Sequence, residues 1–289
     1  MNISTEIGSL ARRIGERKAI EYYAKAGFDC FDYSMFEMAR YDWNNKCLFK
    51  NGHPLENKDS AYQYTKELKS IADSLNIKCN QAHAPFPLRR PEIVDKIPCA
   101  IKCASIMGAK YCIVHPDNYK TPEENAELFK TFIPFAKENN VILALENMWN
   151  WDNKNNIALP AACSDENNFF EHLKIINSEY VVACLDVGHA EMKGLNTSAT
   201  KMIKTLGKYL KCLHVHDNDL HYDSHQLPFT MNINFDKIIK ALKDINYDGD
   251  ITLEADQYLS TFDNEDLFDG VLKMKEVADK LKNLFLNYK

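Results

Sequence analysis

A chain of 289 residues with a formal net charge of −6 offers no global electrostatic attraction for nucleic acid or for an anionic membrane surface. Hydrophobic residues make up 45% and charged residues 26%, the balance of a globular protein that buries a full core without staples. Nine scattered cysteines without a CxxC pair, and an amino-terminal stretch (MNISTEIGSLARR) lacking a secretory apolar run, point to reduced thiols and a cytoplasmic location.

No run reaches the length of a membrane span. Short apolar runs alternate with longer amphipathic stretches, and no linker-like composition interrupts them, so residues 1–289 are expected to form one domain. In chain order, strands are predicted at 3–7, 29–34, 77–83, 110–115, 141–146, 181–186, 210–216 and 250–254. Helices are predicted at 17–26, 60–75, 92–107, 122–139, 166–176, 198–206, 235–245 and 264–286. Thr121-Pro122-Glu123-Glu124 has the makings of a capped start, Ser60 and Asp165 are further cap candidates, and Gly27 and Gly108 stand where left-handed helix ends are wanted.

Eight strands alternating with eight helices predict a single (β/α)8 TIM barrel. The rival, an open doubly wound sheet, lacks its glycine-rich phosphate turn after the first strand. Two long loops, 35–59 and 147–164, carry aromatic residues and would lie at the face where such barrels do chemistry.

The informative pattern is the residue that ends each strand. His83, His115, Glu146, Asp186, the pair His214/His216, and Glu254 stand at the ends of strands three to eight. In a closed barrel these ends converge on one ring. Unpaired, such groups are costly to bury, and a divalent cation neutralising several carboxylates offsets that cost. Glu146, Asp186, Glu254 and one or both of His214 and His216 are therefore candidate ligands for Mn, Mg, Co, Fe or Zn, among which this donor set does not choose. The alternatives are structural: strand-end carboxylates, Asp186 capping the next helix with His189 on its first turn, and His83 and His115 as satisfied core histidines or substrate contacts. Asp223 and His225 could be solvated loop residues. Trp149 and Trp151 could be packing or a lid over a sugar ring.

At the segments LALEN, LDVGH, HVHDND with its following DSH, and TLE, the chain resembles the xylose isomerase-like barrel superfamily. That group includes sugar-phosphate isomerases and epimerases, inosose-processing enzymes and endonuclease IV. The resemblance implies Glu146, Asp186, Glu254 and a histidine of HVH as metal ligands. The HxxD spacing to Asp217 favours His214, and the HxH form favours His216. It implies His189 as a substrate contact and sets Asp152 where relatives carry a glutamate; their arginine soon after the strand-seven histidine has no counterpart. His83, His115, Glu146, Asp186, His189, His214, Asp223, His225 and Glu254 together also resemble the three-zinc set of endonuclease IV.

The implied function is metal-dependent isomerisation or epimerisation of a sugar, sugar phosphate or inosose-like polyol through a metal-stabilised enediolate, with Glu146 and Glu254 exchanging the proton. The partner implied is a small carbohydrate, with homo-oligomerisation left open. The alternative is a zinc phosphodiesterase acting on abasic DNA. Around the motifs only HAPFPLRR is strongly basic.

Overall fold

A computed structural model describes residues 1–288. Eight parallel strands form its centre: β1 (Ile3–Thr5), β2 (Cys30–Ser34), β3 (Lys78–His83), β4 (Tyr111–Val114), β5 (Ile142–Glu146), β6 (Val181–Asp186), β7 (Leu210–His214) and β8 (Ile251–Leu253). β2 to β7 make one ladder, and β1 pairs with β8. Single parallel bridges, Glu6 to Asp32 and Val215 to Leu253, join the two pieces and close the barrel.

Around it run α1 (Glu16–Ala26), α2 (Lys58–Ser74), α3 (Ile97–Met107), α4 (Pro122–Glu138), α5 (Glu166–Ile176), α6 (Ala199–Leu206), α7 (Phe235–Asp244) and α8 (Leu267–Asn287). Each turns one apolar stripe inward. In α7 the buried residues are Phe235, Ile238, Ile239, Ala241 and Leu242, spaced as a helix face requires. Full burial of each large side chain is worth about 1.5–3 kcal/mol.

The predicted caps at Thr121 and Asp165 are present, the first as a complete capping box. Gly27 and Gly108 take φ of 88° and 86°. Three local expectations need correction. α2 starts at Lys58 behind Asn57, and Ser60 Oγ instead donates to the Pro54 and Asn57 carbonyls. The helix expected over 92–107 is broken into Pro91–Val94 and α3, because Pro98 has no N–H for the Val94 carbonyl. β7 ends at His214, since Val215 turns to pair with Leu253.

Alternation along the strands positions the site. Leu143, Leu145, Ala183, Leu185 and Leu213 belong to the core under the helices. Ile113, Ala144, Cys184 and Cys212 form a separate apolar cluster, and the next residues in phase are His115, Glu146, Asp186 and His214. Toward the opposite end Ser4, Asn80 and Thr252 are hydrogen-bonded across the strands. An apolar plug therefore lies beneath the polar mouth.

The two long loops contain antiparallel hairpins, Arg40–Asp42 with Cys47–Phe49 and Asn150–Asp152 with Ile157–Leu159.

Candidate metal centre

Glu146, the last residue of β5, is the hub of an inner cluster. Its Oε1 lies 2.7 Å from His214 Nδ1, and its Oε2 lies 3.2 and 3.1 Å from Nε2 of His83 and His115. Those two imidazole nitrogens face each other at 3.1 Å. His83 Nδ1 donates to the Ala84 carbonyl at 3.0 Å, which leaves Nε2 as a bare lone pair in the neutral ring. Glu254 Oε2 is 3.4 Å from His214 Nδ1. Ligand atoms of Glu146, Asp186, His214 and Glu254 all lie within 4.8 Å of one another.

An outer cluster adjoins it. His189 and His225 each donate Nδ1–H to a carbonyl, of Asn147 at 2.9 Å and of Glu254 at 2.8 Å. Their Nε2 atoms converge on Asp223 Oδ2 at 3.2 and 3.1 Å. His216 Nε2 sits 3.1 Å from Asp186 Oδ1 and 3.5 Å from Asp223 Oδ1, and its ring stacks on His225 at 3.9 Å. Asp223 and His225 are thus drawn into the cluster and are not solvated loop residues. Asp186 takes the capping part considered for it, since Oδ1 caps the helix Val187–Glu191 through His189 N, while Oδ2 has no hydrogen-bond partner and stays a candidate ligand atom.

Burial and charge separate the proton affinities. Burial, reinforced by Glu146 and Asp186 against His214 and His225, pushes Glu254 up to about 8. Burial would also raise Glu146, but His214 and His115 hold it well below the ordinary carboxylate range. Asp186, opposed by burial, is lowered to about 2 by His189 and His216. Burial takes His115 down to about 4. His189 rises to about 10 against burial, because Asp186 and Asp223 face it.

The donor set fits divalent cations. Glu146 Oε2, Asp186 Oδ2 and Asp223 Oδ1 are buried without a hydrogen bond, a costly state for a carboxylate. Each imidazole nitrogen aimed at a carboxylate oxygen needs a positive charge between the two, which is a proton in the metal-free protein and would be the cation when one is bound. His214 sits in the inner group, and Asp32 Oδ2, 3.0 Å from its Nε2, holds the ring so that Nδ1 faces the carboxylates. His216 sits in the outer group.

Other residues stand apart. Asp152 caps a hairpin turn, taking the Lys154 and Asn155 N–H groups at 2.8 and 3.2 Å. Trp149 reaches the centre, donating Nε1–H to Asp223 Oδ2 at 3.3 Å, while Trp151 packs on Tyr222. Asp217 accepts the N–H groups of Thr230, Met231 and Ile233 and so orders the loop after β7.

Sequence reading missed Asp32, Gln81 and Asn147. Gln81 Nε2 donates to Asp32 at 2.9 Å, and Asn147 pairs with both backbone groups of Asp186 at 2.7 and 2.9 Å. The signal was present: Asp32 falls in phase with the inward positions of its strand.

A closed parallel barrel with carboxylates and imidazoles gathered at the carboxyl ends of its strands is the arrangement of barrel enzymes. The chain belongs to the xylose isomerase-like TIM barrel family, which matches residues 20–283. It is 26% identical over 237 residues to the uncharacterized protein MJ1311 of Methanocaldococcus jannaschii, covering 75% of this chain and 78% of that one. It is likewise 26% identical over 235 residues to a probable endonuclease 4 of Mycoplasmopsis agalactiae, covering 74% and 80%. Among solved structures, a D-tagatose 3-epimerase-like protein superposes with a TM-score of 0.72 at 21% identity, covering 99% and 98% of the two chains. The IOLI protein with a bound zinc atom gives 0.68 at 15%, covering 100% and 99%. At these identities the structural likeness is one of fold.

No helix among the described residues is long and apolar enough to cross a membrane.

Proposed function

We propose that the protein is a divalent-metal-dependent isomerase or epimerase of a sugar, sugar phosphate or inosose-like polyol. The observation that carries this reading is the pairing of buried Glu146 with partly buried Glu254, two carboxylates whose proton affinities are shifted in opposite directions, in one cluster with Asp186 and His214. A cation held by Glu146, Asp186, Glu254 and either His214 or His216 would supply charge that stabilises an enediolate on adjacent substrate oxygens.

The chain's own groups do the proton work. One glutamate removes the proton from the carbon beside the carbonyl, and the other returns one to the opposite face or to the neighbouring atom. His189, fixed through Nδ1 to a backbone carbonyl, and either His83 or whichever of His214 and His216 does not hold the cation would steady substrate oxygens. Trp149, whose indole N–H reaches Asp223, would serve as part of a lid over the substrate. The sugar-epimerase names among the similar structures support the carbohydrate assignment, and the zinc of the IOLI structure supports the metal.

The test follows α-proton exchange in D2O by proton NMR across a ketose and inosose panel. Wild-type protein should exchange the proton of at least one sugar, and Glu146→Gln should lose that exchange while keeping its fold. Undiminished exchange in the variant would rule the role out.

A second reading is favoured by one observation: the inner and outer clusters together contain every residue of the three-zinc resemblance. The protein would then be a phosphodiesterase acting at abasic DNA, as the name of the Mycoplasmopsis relative suggests. Three zinc ions per chain together with nicking of abasic duplex would establish it. A single exchangeable metal without nicking would dismiss it.

A further inference from the structure

The basic segment of HAPFPLRR has no part in the proton chemistry, yet it lies beside the centre. A groove of about 490 Å³ opens next to His115 and runs between the two hairpins, within the size that encloses a ligand larger than one sugar ring. Its walls are aromatic. Tyr41 and Trp43 come from the first hairpin, Tyr119 from the loop after β4, and Trp149 and Trp151 from the second hairpin.

Arg40 and Arg89 line this groove, and Arg90 follows Arg89 in the chain without lining it. Arg89 lies over the rings of Trp43 and Tyr119 at 4.4 and 5.3 Å, and Arg90 over Tyr41 and Trp43 at 4.3 and 4.7 Å. Among the described residues the arginine ion pairs are Arg12–Asp256 and Arg40–Glu37, so Arg89 and Arg90 have no carboxylate. Arg90 Nε is buried without a hydrogen-bond partner. A guanidinium stacked on a ring keeps its in-plane N–H groups free for a carboxylate or phosphate, while the stacking holds it in place.

We propose that this groove is a second subsite, which seats an acidic group (carboxylate or phosphate) on a second ring joined to the sugar that reacts at the metal centre. The second ring packs against Trp43 and the facing tryptophans, and Arg89 binds its acidic group. The identity of the reacting ring rests on the sugar-isomerase reading. Trp149 belongs to both places, since its ring lines the groove and its indole N–H reaches Asp223.

Calorimetric titration of the zinc-loaded protein with trehalose, trehalose 6-phosphate and a glucuronic-acid-terminated disaccharide tests this. At least one acidic disaccharide should bind about tenfold more tightly than trehalose, and which one does so tells phosphate from carboxylate. Arg89→Gln should erase that preference, Arg89→Lys should restore part of it, and Trp43→Ala should weaken every disaccharide. Both side chains are solvent-exposed, and unchanged melting temperatures will confirm folded variants. Equal affinity for neutral and acidic probes, a preference that survives Arg89→Gln, or no binding of any disaccharide would overturn the proposal. Absence of α-proton exchange with every sugar would sink the reaction and leave a positive binding result standing. Exchange without acid preference would sink the groove alone.

Discussion

Gly188, in the segment LDVGH, is the position where a single methyl group should do most harm. An alanine Cβ there would lie 1.9 Å from Cε1 of His216, 2.3 Å from Nε2 and 2.5 Å from Nδ1. Ordinary contacts begin near 3.4 Å, so the ring must retreat by about 1.5 Å. It has little freedom to do so: His216 is fully buried, stacked on His225, and held to Asp186 at 3.1 Å. Overpacking of this kind costs about 1–3 kcal/mol. A displaced imidazole should also lower metal affinity about 10–100-fold, as loss of ligand orientation does elsewhere. Denaturant titration of the metal-free protein reads the first effect, and zinc titration against a competing chelator reads the second. Removing the ring as well, in Gly188→Ala with His216→Ala, should recover part of the stability, because the clash has gone. A Gly188→Ala protein with wild-type stability and wild-type zinc affinity would refute the steric argument.

Three further outcomes are expected. Asp32→Asn removes the charge behind His214 and should weaken zinc binding about 10–100-fold with little change in secondary structure; unchanged affinity in the same chelator competition would argue against an orienting role. Zinc should raise the melting temperature and a chelator should lower it, with a stabilisation of about 4 kcal/mol at a thousandfold excess over Kd; a melting temperature indifferent to both would contradict the cation assignment. In the metal-free protein Glu254 keeps its proton up to about 8, whereas the unfolded chain releases it near 4.5. That contribution to stability is full below the lower value and is lost as pH rises through the higher one. His189, raised to about 10, acts in the same direction, so the test is the difference between proteins. Glu254→Gln should lose less stability than wild type as pH rises through about 8, and superimposable profiles would count against the assignment.

The barrel and the ring of strand-end carboxylates and imidazoles were legible in the sequence because they obey local rules. Apolar runs such as 141–146 and 181–186 mark strands buried on both faces, and a polar last residue marks the mouth. What was not legible depends on distances between strands far apart in the chain. That Asp32 would stand behind His214 is a contact across 182 residues. Likewise, the placement of His214 and His216 in different clusters depends on where β7 gives way to the bridge at Val215. Asp152, set by the resemblance where relatives carry a glutamate, closes a hairpin turn, a contact made by its neighbours Lys154 and Asn155. Gly188 could be read as part of a motif but not as a steric necessity, since the ring it admits comes from the next strand.

Anomalous scattering from crystals grown with zinc, measured across the zinc absorption edge, tests the central claim most directly. The account predicts a peak about 2.0–2.2 Å from carboxylate oxygens of Glu146, Asp186 and Glu254 and from one nitrogen of His214 or His216. A map with no peak among these side chains, at zinc concentrations that saturate binding in solution, would contradict it.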